Sequence, residues 1–250
     1  MTRFLAIASA KGGVGKTTAA INLATAMVNF GKDVVVLDAN ISKPNVSMHL
    51  GTPKLNHTLH DVLKGNIHIT DAAYIHPSGL RIIPGNISLA VLKEIEGHDL
   101  SNFKNILIDL IGTTDLVILD TGSGLGREVQ AVLGASDEMI AITNPEITSV
   151  TDTFKTIRIA EEAGCKVIGV IVNRQSGNVA EMEVKNIEAM LGKNILGIIP
   201  EDINVQKSIA ARQPLVYLYP DSRASINYKQ LAAKLMGQEY VHSIQAGKNK

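Results

Sequence analysis

The sequence predicts a single α/β domain, a mostly parallel twisted sheet with helices on both faces, and three observations predict it. Short β-branched runs alternate with longer segments of helical apolar spacing, the pattern of parallel strands joined by crossover helices. The runs that read as strands are almost continuously apolar, as expected for strands covered on both faces. The chain has 250 residues, 45% of them hydrophobic. That is enough to bury roughly 70–75% of the unfolded surface without a disulfide scaffold.

The first strand is expected at 4–9, running into a glycine-rich loop with a helix of good formers at 17–30 behind it. A valine-rich strand at 33–37 follows, then a strand at 80–83, a helix at 103–111 and a strand at 116–119. Helix 127–133, strand 139–143, helix 150–163, strand 167–172, helix 179–191 and strand 195–199 continue the alternation. Helices at 205–211 and 224–236 close it, with Tyr228, Leu231, Ala232 and Leu235 forming one face that reads as core packing. The domain is read as 1–236, with 237–250 as a short tail. The crossovers should be right-handed. In such sheets a ligand sits beyond the carboxyl ends of the strands, so the loops opening at Ser9, Asp38, Asp120, Asn144, Asn173 and Pro200 are where function is expected.

Composition removes several classes. The 24 Lys+Arg and 24 Asp+Glu cancel, which argues against a DNA-binding protein with the usual positive excess. The single cysteine, Cys165, excludes disulfides and Cys-pair metal or redox motifs within the chain, reads as structural, and makes a reducing cytoplasm the default compartment. No run approaches the ~20 apolar residues of a membrane span, and the N-terminus lacks a signal-peptide pattern, so the chain reads as soluble. The seven histidines, His57, His60, His68 and His76 among them, show no convergent metal spacing.

The chemistry concentrates after the first strand. Ala10-Lys11-Gly12-Gly13-Val14-Gly15-Lys16-Thr17-Thr18 stands between strand and helix, the context of a phosphate-binding loop. Its glycines let successive backbone N–H groups turn around a phosphate, Lys16 can bridge terminal phosphates, and Thr17 can offer a hydroxyl to Mg²⁺. The strict motif begins with glycine where this chain has Ala10. Lys11 is an extra lysine that such a loop does not require, and by itself it also reads as a solvated side chain.

Two carboxylates end apolar strands: Asp38 after Val34-Val35-Val36-Leu37, and Asp120 after Leu116-Val117-Ile118-Leu119. Asp120 is expected to hold Mg²⁺ through water, and Asp38 to orient the metal's water or the attacking water. Each alone also reads as a turn residue. In Thr121-Gly122-Ser123-Gly124-Leu125-Gly126, the Gly124 backbone N–H is expected near the terminal phosphate, in a segment free to move when it leaves. Late in the chain, Asn173-Arg174 and Pro200-Glu201-Asp202 each end an apolar strand. An Asn amide matches the donor and acceptor on adenine's edge, although each segment taken singly also reads as an ordinary turn.

Taken together, Lys11 to Thr18, the two strand-end acids, the Asn173 and Pro200 segments and Thr143-Asn144-Pro145-Glu146-Ile147-Thr148-Ser149-Val150-Thr151-Asp152 resemble the MinD/ParA class of deviant Walker A ATPases, over about residues 3–236. Within it the middle segment favours archaeal-type MinD over plasmid-partition ParA. The resemblance implies a P-loop NTPase fold, ATP/ADP and Mg²⁺ as cofactors, and a nucleotide-sandwich homodimer in which Lys11 reaches the partner's ATP. It also implies an unidentified protein partner and a spatial role in septum-site or other cellular positioning. The first switch of that class starts Asp-x-Asp, whereas this chain has Asp38-Ala39-Asn40. Asn40 can bind water but cannot take its proton, which implies slow hydrolysis without a partner and leaves an ATP-dependent binding switch with negligible turnover as an alternative. A ParA-like DNA-positioning role is a further alternative. Iron–sulfur members need cysteines that this chain lacks. MinD proteins often end in a basic amphipathic helix. The tail here, with Tyr240, Val241, Ile244, Lys248 and Lys250, is a weaker version, implying weak membrane-surface binding at the inner face of the cell membrane or a solvated tail.

Overall fold

The computed structural model describes residues 1–52, 55–95, 97 and 99–240. Among the described residues eight strands form one sheet: β1 (Arg3–Ala8), β2 (Val34–Ala39), β3 (Tyr74–Ile75), β4 (Arg81–Ile83), β5 (Leu116–Thr121), β6 (Glu138–Thr143), β7 (Lys166–Gln175) and β8 (Ile195–Pro200). Their order is β3-β4-β2-β5-β1-β6-β7-β8, and every pairing is parallel except β3 with β4. The helices are α1 (Lys16–Asn29), α2 (Val46–Leu50), α3 (Leu59–Leu63), α4 (Leu89–Ile95), α5 (Phe103–Ile108), α6 (Arg127–Gly134), α7 (Ile147–Glu162), α8 (Val184–Leu191), α9 (Ile203–Ala210), α10 (Leu215–Leu218) and α11 (Arg223–Leu235).

The predicted α/β architecture is the one observed, and the seven expected strands lie within one to three residues of their predicted ends. β1 is flanked by β5 on one side and β6 on the other, and the chain leaves it in one direction to build β2 and in the other to build β6. The crevice at that divergence, beyond the carboxyl end of β1, is where an open α/β sheet binds its ligand.

Side-chain alternation along the strands fills two faces. Leu5, Ile7, Val34, Val36, Ile118 and Ile140 face α1 and α11, while Val35, Leu37, Val117 and Leu119 face α3 and α5. Ala6, Ala8, Met139 and Ala141 pack with residues of α6, α7 and α8. Helix α1 is covered almost all round, which explains its run of Ala and small polar residues in place of a single apolar stripe. The stripe on α11 is core, as expected, with Tyr228 and Leu231 buried. Cys165 is buried too, its thiol pushed up to about 12 by burial and then by Asp137 and Glu138.

Four departures have local causes. Helices α2, α3, α4 and α10 are one or two turns long, too short for their periodicity to show in a sequence. Strand β3 has two residues and exists only as the antiparallel edge of β4. The helix expected from 179 begins at Val184, because side chains there hold the backbone in turns. Glu181 accepts from the Ser176 and Gly177 N–H groups, and Asn178 accepts from that of Ala180. The helix expected to reach 111 stops at Ile108, since Ile111 turns to bridge Thr114.

No helix among the described residues is long and apolar enough to cross a membrane. Of the tail, Tyr240 packs its ring against Phe30, centroids 5.8 Å apart. Val241, Ile244, Lys248 and Lys250 lie outside the described residues, and with them the membrane-surface expectation.

One buried polar contact ties α10 to α1. Asn22, on α1, accepts from the Val216 N–H at 3.0 Å and donates to Thr18 O at 2.8 Å, joining α10 to the helix that carries the loop. Asn22→Ala leaves the Val216 N–H unpaired in the core and should cost about 1–3 kcal/mol of stability, readable in a urea titration.

Candidate functional site

The loop between β1 and α1 is held from three directions. Gly13 and Gly15 adopt positive φ (76° and 100°), and Gly15 serves as the N-cap of α1 with no side-chain cap. The first helical bond is Ala19 N–H to Gly15 O, so the amides of Lys16, Thr17 and Thr18 precede the intrahelical ladder and suit an external anion. Gly15 is required twice over, since a Cβ there would also run into Asn173 Nδ2. Asn173 uses that nitrogen to donate to Val14 O at 2.7 Å, bracing the loop from β7. Ala10 donates its N–H to Thr156 Oγ1 and accepts from Gly124 N–H, both at 2.8 Å. Positive φ outside glycine is confined, among the described residues, to Arg174 and Arg212, so alanine stands at position 10 without backbone strain.

Below the loop lies a concentration of charge. Asp38 and Asp120 are cross-strand partners in β2 and β5, both fully buried. Thr17 donates its hydroxyl to Asp120 Oδ2 at 2.6 Å, and the N–H groups of Asn45 and Val46 donate to Asp38 Oδ2, each at 2.9 Å. The other oxygen of each acid, Asp38 Oδ1 and Asp120 Oδ1, is buried without a partner. Burial pushes the Asp38 carboxyl well above its ordinary range, and neighbouring Asp120 pushes the same way. Burial also raises Asp120, to about 6, against the Thr17 hydrogen bond and the charge of Lys16. Lys16 is itself lowered by burial, with Asp120 opposing. Burial opposes the ionisation of both acids and Lys16 offsets only part of that cost, a condition that a divalent cation beside Thr17 relieves. Among the described residues no group of three or more His, Cys, Asp and Glu gathers. The fit is therefore to an ion that takes one or two carboxylates, a hydroxyl, water and ligand phosphates, as Mg²⁺ does.

Lys11 points away from this cluster. Its Nζ pairs with Glu146 Oε2 at 2.6 Å and reaches Thr148 Oγ1 at 3.3 Å, at the start of α7, with more than half of the Glu146 side chain exposed. The five residues expected at a base pocket, Asn173, Arg174, Pro200, Glu201 and Asp202, line one cavity of about 100 Å³ together with Gly15, Thr18 and Tyr228. Asp202 contributes differently from its neighbours: its carboxylate accepts from Asn204 N–H and Ala224 N–H, capping α9 and fixing the start of α11.

Two expectations change in detail. The Gly124 N–H, expected to face a phosphate, is committed to Ala10 O, so here it ties the segment 121–126 to the loop. The segment after Asp38 contains no second acid, yet an acid reaches it from elsewhere. Glu128, on α6, accepts from Ser42 N–H at 3.2 Å and Ser42 Oγ at 2.7 Å. Sequence pattern assigns neither Glu146 nor Glu128 a part in the site. They meet Lys11 and Ser42 across 135 and 86 residues, and no local pattern signals contacts of that span.

A family model described as the CobQ/CobB/MinD/ParA nucleotide binding domain matches residues 5–215. An uncharacterized ATP-binding protein of Methanocaldococcus jannaschii is 41% identical over 236 residues, 94% of this chain and 88% of that protein. The antiactivator FleN of Pseudomonas aeruginosa is 29% identical over 243 residues, 92% of this chain and 85% of its own. Among solved structures, the septum site-determining protein MinD of Pyrococcus horikoshii, complexed with Mg-ADP, superimposes with a TM-score of 0.89 at 30% identity, covering 94% of this chain and 96% of its own.

The cost of burying these acids is measurable. In the unfolded chain Asp120 ionises near 3.8, and in the fold only near 6. Holding it charged therefore opposes folding above pH 6, and this penalty fades as pH falls from about 6 toward 3.8. Asp38→Asn, which keeps an acceptor for Asn45 and Val46 but removes a buried carboxyl whose ionisation both burial and Asp120 oppose, should raise the Tm of the nucleotide-free protein at pH 7.5. A gain of about 1 kcal/mol would appear as about 2–4 °C in calorimetry, while Mg²⁺-dependent nucleotide binding is lost.

Proposed function

This chain belongs to the CobQ/CobB/MinD/ParA nucleotide-binding family, and on that premise we propose that it is a MinD-like ATPase whose nucleotide state sets its assembly. It binds ATP with Mg²⁺, closes a homodimer around two nucleotides, and opens when hydrolysis removes the terminal phosphate. The dimer surface recruits a protein partner and places cargo in the cell. The observation that carries this reading is the pair of unpartnered oxygens on Asp38 and Asp120, buried beside the Thr17 hydroxyl and Lys16 under an anion-ready loop.

In this reading Gly12, Gly13, Val14, Gly15, Lys16, Thr17 and Thr18 wrap the phosphates with backbone N–H groups, and Lys16 neutralises the terminal ones. Thr17 and Asp120 hold Mg²⁺, with Asp38 acting through water, and the bound ion supplies positive charge where phosphoryl transfer gathers negative charge. Gly124 couples its segment to the loop through Ala10. Asn173, Arg174, Pro200, Glu201 and Asp202 form the adenine pocket, with Asp202 serving as its scaffold. Lys11 exchanges Glu146 for the nucleotide of the second copy, an exchange favoured by the exposure of that ion pair, which is worth little in water.

The role served is spatial, in the cytoplasm. The relatives support a family of ATP-binding proteins that includes a septum-site protein and an antiactivator, and the cargo belongs to septum-site or other cellular placement. A second reading, a binding switch with negligible hydrolysis, is favoured by Asn40. Size-exclusion chromatography with and without Mg·ATP, beside a phosphate-release time course, tests both. A chain that stays monomeric at saturating ATP overturns the dimer switch, and a dimer that releases no phosphate favours the second reading.

Two substitutions sharpen the test. Lys16→Ala removes a charge-assisted contact to phosphate and should weaken ATP binding on the order of 10- to 100-fold, measured by equilibrium titration. Lys11→Ala should bind ATP with near-native affinity yet remain monomeric in light scattering. A normal ATP-induced dimer would sink the crossing-lysine role.

A further inference from the structure

We infer that Glu128 is a positioning residue for hydrolysis, supplying the switch segment 38–51 with the carboxylate that position 40 lacks. The inference rests on the ATPase reading above and adds to it a residue that no motif contains. In-register pairing sets Asp38 beside Asp120 and Ala39 beside Thr121, so the chains leave the sheet together and Asn40 and Gly122 are neighbours. Gly122 has no side chain, and the space it leaves is bounded by two others. The point where a Cβ would sit is 3.1 Å from Asn40 Oδ1 and 3.5 Å from Glu128 Oε1. The missing acid at position 40 is thus matched by an acid standing over the same glycine.

Glu128 is also fixed to the switch itself. It accepts Ser42 N–H on Oε1 and Ser42 Oγ on Oε2, gripping the backbone two residues beyond Asn40. It sits in the first turn of α6, where the helix favours negative charge. A carboxylate offers about four acceptor positions, so two donors from Ser42 leave capacity for a water held by the Asn40 amide. Glu128 acts through its neighbours. It keeps Ser42, and with it Asn40, over Gly122, and it lends that space a negative charge. A Cβ at Gly122 would stand in tight contact with the Asn40 amide and in van der Waals contact with the Glu128 carboxylate, so glycine leaves the space between them open.

A double-mutant cycle of Glu128→Gln with Asn40→Asp tests this, reading single-turnover hydrolysis and ATP affinity separately. Glu128→Gln should slow hydrolysis about tenfold while ATP affinity stays within about twofold. Asn40→Asp should recover that loss when combined with Glu128→Gln yet gain little in the native chain, where a second carboxylate meets Glu128. In nucleotide-free protein, hydrogen exchange at the Ser42 amide should rise in Glu128→Ala, a readout independent of turnover. A native rate in Glu128→Gln, or strictly additive effects around the cycle, overturns the inference and leaves the ATPase reading standing. A native chain that binds ATP and releases no phosphate also overturns the inference, and favours the binding-switch reading over the ATPase one. A native chain that does not bind ATP fails the earlier reading first, and the affinity measurement shows it.

Discussion

Asp38 and Asp120 are held side by side inside a sheet whose neighbouring side chains are almost all hydrocarbon, with Lys16 as the nearby countercharge. Like charges in such surroundings raise one another's pKa and oppose folding. The fold tolerates the pair because each acid is partly compensated: by the Thr17 hydroxyl for Asp120, and by two backbone N–H groups for Asp38. What remains uncompensated is one buried oxygen on each acid, at the strand ends beside the loop that β1 delivers. The rest of the structure can be understood as what it takes to hold that remainder of charge in place.

Order in the sheet accomplishes most of it. With β1 between β5 and β6, and β2 beside β5, the loop and both acids end at one edge of the same three strands. Helix α1 must lie close over them, and its all-round burial against the sheet and α11 makes the positions of Lys16 and Thr17 stiff. The loop is pinned to β7 by Asn173, to α7 by Thr156 and to the segment after β5 by Gly124. A change at the phosphate end therefore reaches several elements through short hydrogen bonds, and interfaces packed this way switch between discrete arrangements more readily than they deform. Lys11 and Glu146 form the outward end of that system, and Ser42 and Glu128 the lateral one.

The sequence by itself determined the parts written in short-range pattern. Alternating apolar runs specified the α/β sheet, three glycines followed by Lys16 and Thr17 specified an anion loop, and an acid after four apolar residues specified Asp38 and Asp120 at strand ends. Their place after apolar strands, together with the family resemblance, also brought out Asn173 and Pro200, which the fold then placed on one cavity with Arg174, Glu201 and Asp202. These features were legible because strand and helix periods and loop chemistry are properties of a few consecutive residues.

Only the tertiary structure decided which charges meet. That Asp38 and Asp120 are adjacent follows from strand order, which no segment of the sequence encodes alone. That Glu146 holds Lys11, that Glu128 reaches Ser42, that the Gly124 amide is spent on Ala10 and that the Asp202 carboxylate is a cap are all facts of where distant segments come to rest. Hydrogen bonds and ion pairs act over a few ångströms, while the residues that form them here lie as many as 194 positions apart. Their partners are set by the packing of the whole sheet and its helices, a global result of burying apolar surface, and so become visible only once that packing exists.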